Sequence, residues 1–254
     1  SAIRCSRGGQ KVAKKGQSRH MKRYVATRAL KLPRKSFPWM VKPSPGPHPR
    51  KSSLPLRLLL RDYLSLARTA READRILAGG QVLVDGRVRR SPKFPVGLMD
   101  VVQLLTLNQN YRVLLDHRGR LVLHEIDKAE TSLKLCKVMR KDILRGRRVQ
   151  LSFHDGKTLV GDFDEFRPED GVKLTLPEIK VLERFPFEKG ATVLVTGGKN
   201  VSKVGTITDV KLVEGKRPNI VTFEAAGETF QAPEHYVFVV GKEKPAISLQ
   251  EASA

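Results

Sequence analysis

The chain has 254 residues, 40% of them hydrophobic, and carries 48 Lys and Arg against 26 Asp and Glu for a net charge of +22. That length supports two or three small cores, and the charge points to a polyanionic partner, either nucleic acid or an acidic membrane surface. Two distant cysteines, Cys5 and Cys136, exclude a disulfide framework, and no apolar run approaches the ~18 residues that cross a bilayer.

The charge is concentrated at the front. Residues 1–61 hold 17 Lys or Arg and no acid, whereas the remainder holds 31 basic and 26 acidic side chains. Residues 1–53 therefore read as a basic arm. Pro43, Pro45, Pro47 and Pro49 alternate, a spacing that forbids helix and sheet and favours extended backbone. Alone in water such an arm is expected to lack packed structure. Against phosphates its cations displace condensed counterions. Phe37 and Trp39 stand among Arg34, Lys35 and Lys42, a pattern suited to stacking on bases. The arm has no broad apolar helix face, which disfavours a membrane partner, and no apolar stretch follows its basic start as in a secretory signal. A soluble, cytoplasmic protein is expected.

Residues 54–107 read as a compact helical module. Leu56, Leu59, Leu60, Tyr63 and Leu64 recur at helical spacing, with Arg57 and Arg61 among them. Thr69 with Glu72 forms a capping box for a second helix. Its apolar stripe is Ala70, Ala73, Ile76 and Leu77; Arg68, Arg71 and Arg75 lie off it, and Gly79-Gly80 ends it. Val82–Val84, Asp85-Gly86 and Arg87-Val88 make a tight hairpin, followed by Arg89, Arg90 and Lys93. Two short helices and a hairpin edged with arginines resemble the αL RNA-binding fold, found in ribosomal proteins, tyrosyl-tRNA synthetases, pseudouridine synthases and a heat-shock ribosome factor. The bland alternative is a helical domain whose arginines only solubilise it.

From Tyr111 the pattern turns to strands. Residues 108–186 read as a central β domain, with a hairpin of Tyr111–Leu115 and Leu121–Leu123 and strands at 149–153, 158–160, 172–176 and 179–185. In residues 187–254, the strand Ala191–Thr196, the turn Gly197-Gly198-Lys199-Asn200 and the next strand from Lys203 resemble a KOW motif of SH3-like barrels, with its glycine at Gly205. Glycine inside a strand marks close backbone approach or a bulge. Lys199, Asn200 and Lys203 are then expected to contact RNA from the turn.

No catalytic constellation stands out. Pseudouridine synthases place a catalytic Asp just after Gly-Arg-Leu, but Val122 follows Gly119-Arg120-Leu121 here. Gly198-Lys199 lacks the rest of a phosphate-binding loop, and no histidine pair has zinc-helix spacing. Asp162, Asp164, Glu165, Glu169 and Asp170 read as a solvated acidic loop.

The parts in order resemble the archaeal and eukaryotic e-type family of small-subunit ribosomal protein four, from about Lys14 to Val240. The likeness rests on His20-Met-Lys-Arg23, Pro38-Trp39, Pro43-Ser-Pro-Gly-Pro-His48, Leu60-Arg-Asp-Tyr63, residues 70–86, residues 93–100, Leu135-Cys136-Lys137-Val138 and the KOW stretch. It implies a multidomain α+β protein: a basic extended arm, an αL domain with hairpin, a central β domain and a C-terminal SH3-like KOW barrel. It also implies a non-catalytic constituent of the small ribosomal subunit, bound to rRNA and neighbouring ribosomal proteins. No cofactor, metal, membrane, small-molecule substrate or self-association is implied.

The expected RNA contacts are Lys14, Lys15, Arg19, His20, Lys22, Arg23, Arg28, Arg34, Lys35 and Trp39 in the arm. In the αL module they are Arg57, Arg61, Arg68, Arg71, Arg75, Arg87, Arg89, Arg90 and Lys93. Lys199, Asn200 and Lys203 complete the set, and His48 is expected to stack or meet phosphate. The alternatives are a transient ribosome-associated RNA-binding factor and an RNA-modifying enzyme lacking a visible catalytic residue. Members of the family begin near the position of Ala13, so Ser1–Lys11 are expected to come from an upstream start.

Overall fold

The computed structural model describes residues 20–249 apart from Lys216 and Ala226. Among these, most of the chain is β, arranged as three five-stranded antiparallel sheets and two small two-stranded pairs. Most short helical segments fall before residue 79, with two further 3-10 turns at Lys128–Ser132 and Glu234–Tyr236.

The arm is more ordered than its composition implies. Met21–Lys22 pairs with Trp39–Met40, and Leu30 bridges Leu121. Met21, Ala26, Leu30 and Met40 enter the same core as Leu54, Leu56 and Leu77. The apolar residues of the arm are few, but Met21, Ala26, Leu30 and Met40 enter a core that the following module supplies, while Tyr24, Val25, Phe37 and Trp39 stay exposed. The expected boundary at 53/54 therefore runs through one hydrophobic core.

The first expected helix is regular only over Leu56–Leu58 and widens into a π-turn over Leu59–Tyr63. Leu58, Leu59 and Leu60 are all fully buried, and a single helical stripe does not hold three consecutive residues. The second helix spans Ala70–Ala78 and has its capping box. Glu72 N–H donates to Thr69 Oγ1 at 3.3 Å, and the Glu72 carboxylate accepts the Arg68 and Thr69 amides at 2.8 and 3.3 Å. Those amides hold the Glu72 carboxyl below its usual range. Thr69→Ala is expected to lower stability by about 1 kcal/mol, read as a fall of a few degrees in melting temperature.

The first sheet runs in spatial order Arg87–Val88, Val82–Val84, Val101–Leu104, Gln109–Leu115 and Leu121–Glu125. Asp85 and Gly86 have φ of +52° and +73°, as a tight hairpin requires. The expected boundary at 107/108 falls between two paired strands of this sheet, Val101–Leu104 and Gln109–Leu115.

The second sheet runs Thr158–Gly161, Val149–Phe153, Leu133–Ile143, Gly171–Thr175 and Val181–Phe185. Its central strand is 11 residues long. The first half pairs with Gly171–Thr175 and the second with Val149–Phe153, where the register shifts between Val138 and Arg140. The third sheet runs Glu228–Pro233, Ile220–Ala225, Val204–Lys211, Thr192–Val195 and Val237–Gly241. A Cβ on Gly205 would lie 2.2 Å from the carbonyl oxygen of Glu224, so close approach explains this glycine. The register shift of its strand comes later, between Ile207 and Asp209.

A buried charge cluster joins the modules. The Lys134 ammonium, fully buried, lies 2.7, 2.6 and 2.9 Å from carboxylate oxygens of Asp85, Asp100 and Asp155. Lys157 adds contacts to Asp85 and Asp155 at 2.7 and 3.2 Å. His48 Nε2 reaches Asp100 at 2.9 Å and is buried, so His48 anchors the proline-rich turn and is not the stacking or phosphate contact expected of it. Arm, hairpin, first sheet and second sheet thus meet at one knot of charge.

Candidate nucleic-acid interface

Much of the expected cationic set stands at the surface. Lys22, Arg28, Arg34 and Lys35 are exposed on the arm; Lys14, Lys15 and Arg19 lie outside the described residues. Helix Ala70–Ala78 buries Ala73 and Leu77, which turns Arg71 and Arg75 outward. Arg68 before it, Arg87 and Arg90 on the hairpin, and Lys93 beyond are exposed too.

A second group is oriented by neighbours. Arg57 donates through Nε and Nη2 to the two oxygens of Asp74, at 2.8 and 2.7 Å. Arg61 donates through the same pair of nitrogens to Asp62 Oδ2, at 3.0 and 2.8 Å. The Arg89 guanidinium lies 4.5 Å from the Phe94 ring centre. Arg57 and Arg61, with His20, Trp39, Lys42 and Lys93, line an open cleft of about 500 Å³ where the arm crosses the first helix. Trp39 is 56% exposed, with its ring centre 5.7 Å from that of His20. An exposed indole beside guanidinium groups offers a stacking face together with phosphate ligands.

Arg23 departs from the expectation. Its side chain is buried, with Nε donating to the carbonyl of Pro33 at 2.7 Å and Nη2 to Asp62 at 3.1 Å. It fastens the arm to the π-turn and presents nothing to phosphate. In the third sheet, Asn200 donates to the Gln231 carbonyl at 3.2 Å and the Lys203 ammonium lies 3.2 Å from the Phe230 ring centre, while Lys199 is exposed.

The acidic loop is not uniformly solvated. Asp162, Asp164 and Glu165 are exposed, but Asp170 is buried. Asp170 accepts Arg184 Nε and the amides of Arg167 and Phe187 at 2.8, 2.9 and 3.0 Å, and Glu169 pairs with Lys137. Those two acids close the strand ends of the second sheet.

Sequence reasoning passed over Arg118, Arg120, Arg145, Arg147 and Arg148. All five sit in hairpin turns, and four of them are exposed, with Arg120 partly so. Basic residues inside turn signals were the available clue.

Comparison with known proteins accounts for this arrangement. The RS4NT (NUC023) domain model matches residues 15–51, the S4 domain model residues 59–102, and the model for ribosomal family S4e residues 107–181. The small ribosomal subunit protein eS4 of Methanothermobacter thermautotrophicus is 47% identical over 232 residues, covering 91% of this chain and 96% of that protein. That of Archaeoglobus fulgidus is 45% identical over 233 residues, covering 91% and 97%. The crystal structure of the 30S ribosomal protein S4e from Thermoplasma acidophilum matches with a TM-score of 0.67 at 37% identity, covering 75% of this chain and 96% of that one. With such identity extending through arm, helices and sheets alike, the chain belongs to the ribosomal family S4e.

Proposed function

We propose that this chain is a structural, non-catalytic constituent of the small ribosomal subunit, held on rRNA by its arm and its αL-type module and acting in the cytoplasm while bound to the ribosome. One observation carries the reading. The arm from Met21 onward shares a hydrophobic core with the arginine-bearing helices, so two sets of exposed cations belong to one packed body. Such a body meets a shaped phosphate surface at several points at once, which gives position more than sequence readout. The family resemblance supports reading residues 54–107 as the αL module behind the arm, residues 108–186 as the central β domain and residues 187–254 as the SH3-like KOW barrel with its tail. Neighbouring ribosomal proteins are the remaining partners.

Two measurements test this. After a high-salt wash and sucrose-gradient fractionation, the protein is expected to stay with small subunits; release into the top fractions would mark a transient factor. Arg71→Gln with Arg75→Gln is expected to weaken rRNA binding about tenfold at 0.15 M salt with the melting temperature unchanged, because neither side chain supports the core.

A further inference from the structure

The hairpin between Gln109–Leu115 and Leu121–Glu125 carries Arg118 and Arg120, and the arm meets it edge on. Leu121 N–H donates to the carbonyl of Ala29 at 2.7 Å, beside the bridge between Leu30 and Leu121. This junction brings Arg28 and Arg34 of the arm together with Arg118 and Arg120 of the hairpin around a cleft of about 410 Å³. Leu30 and Leu32 complete the lining.

Among the described residues the cleft is lined by four cations and no acid. Among the described residues, the arginines that pair with carboxylates are Arg23, Arg57, Arg61, Arg112, Arg140 and Arg184. The nearest acid in sequence, Asp116, faces His117: its Oδ1 accepts the His117 amide at 2.8 Å and also contacts the imidazole. Arg118 Nε reaches His117 Nε2 at 3.2 Å. Four guanidinium groups around one opening repel one another, and an anion among them removes that repulsion. Their planar forks match phosphate oxygens.

We propose that this cleft is a phosphate-binding site completed only when the arm docks on the hairpin, and that its ligand is the sugar-phosphate backbone of an RNA strand. The proposal rests on the RNA-binding reading above and adds a site that the motifs do not contain. Leu30 and Leu32 leave an apolar surface for ribose beside the four cations.

The test uses the full chain and small-subunit rRNA transcripts over a series of KCl concentrations. Arg118→Gln with Arg120→Gln, and separately Arg28→Gln with Arg34→Gln, are each expected to weaken binding about tenfold at 0.15 M salt. Each is expected to flatten the log–log salt slope by about 1.5, the value for two phosphates. All four changes together are expected to weaken binding by much less than the product of the two pairs, because both halves hold the same phosphates. Arg118→Lys with Arg120→Lys restores the slope but only part of the affinity. Without RNA at low salt, the glutamine variants are expected to melt at or above the wild-type temperature, since like charges have been removed.

Wild-type affinity and slope in Arg118→Gln/Arg120→Gln would overturn the proposal, as would fully multiplicative effects. Inorganic phosphate that raises the wild-type melting temperature, with RNA binding indifferent to the substitutions, would assign the cleft to a free anion and equally overturn it. A wild-type chain that ignores rRNA altogether would instead refute the broader function.

Discussion

Lys134→Met is expected to destabilise the protein by about 3–5 kcal/mol, lowering the melting temperature by roughly 10 °C. The substitution leaves three carboxylates, those of Asp85, Asp100 and Asp155, around an apolar side chain where a fully buried ammonium had been. Burial alone would lower the Lys134 pKa, but the charges of Asp100 and Asp85 outweigh it and hold the amine well above its ordinary value. Burial likewise pushes Asp100 up, and Lys134 with His48 reverses the sign. For Asp155, Lys134 and Lys157 do the same. Adding Asp155→Asn to Lys134→Met is expected to recover part of the loss, since fewer buried anions stay unmatched.

The same cluster sets the acid response. Asp100 and Asp155 are depressed in the folded state, so their stabilisation is full above the unfolded value of 3.8 and is lost as pH falls below it. His154 acts earlier. Its Nδ1 accepts the Lys137 amide at 3.2 Å and Nε2–H donates to the Leu98 carbonyl at 3.3 Å, which fits a neutral ring. Enclosure of the ring, reinforced by Lys134, lowers its pKa from 6.5 to about 4. The unfolded chain therefore binds the extra proton between those values, and stability declines as pH falls from 6.5 towards 4. Urea midpoints measured from about pH 7 down to about pH 2 are expected to fall in two stages, the first between 6.5 and 4 and the second below 3.8, and His154→Gln is expected to remove the upper one.

Removing residues 1–19 is expected to flatten the salt dependence of rRNA binding more than any point substitution. The segment contains six Lys or Arg and no acid. At about 0.7–0.9 per neutralised phosphate, full engagement contributes roughly 4–5 to the log–log slope. A filter-binding series from 50 to 300 mM KCl measures it. Truncation at residue 53 would be a poorer experiment, since Met21, Ala26, Leu30 and Met40 are buried in the shared core and their loss would unfold the module. A truncated chain with the full-length slope would mean that the basic start does not touch RNA.

The local features were legible and the long-range ones were not. Thr69 with Glu72, and Asp85 with Gly86, act within a few residues of themselves, so their chemistry is written in the chain. The strand Leu133–Ile143 was hidden because Lys134 and Lys137 interrupt its alternation with side chains that sequence logic places in water. They are buried because Asp85, Asp100, Asp155 and Glu169 come to them from distant segments. Arg23 was misread for the same reason: its partner Asp62 lies 39 residues on. The cationic surface was legible as composition, since basic residues crowd the arm and the helices that follow it. Its shape was not, because Arg118 and Arg120 join it only through the Leu30–Leu121 bridge.

That bridge imposes a timetable on synthesis. Leu30 leaves the translating machinery long before Leu121, 91 residues later, can receive it. At about 5–20 residues per second the gap lasts roughly 5–20 s. Throughout that interval Arg28 and Arg34, beside Leu30, lack the hairpin arginines with which they form the cleft.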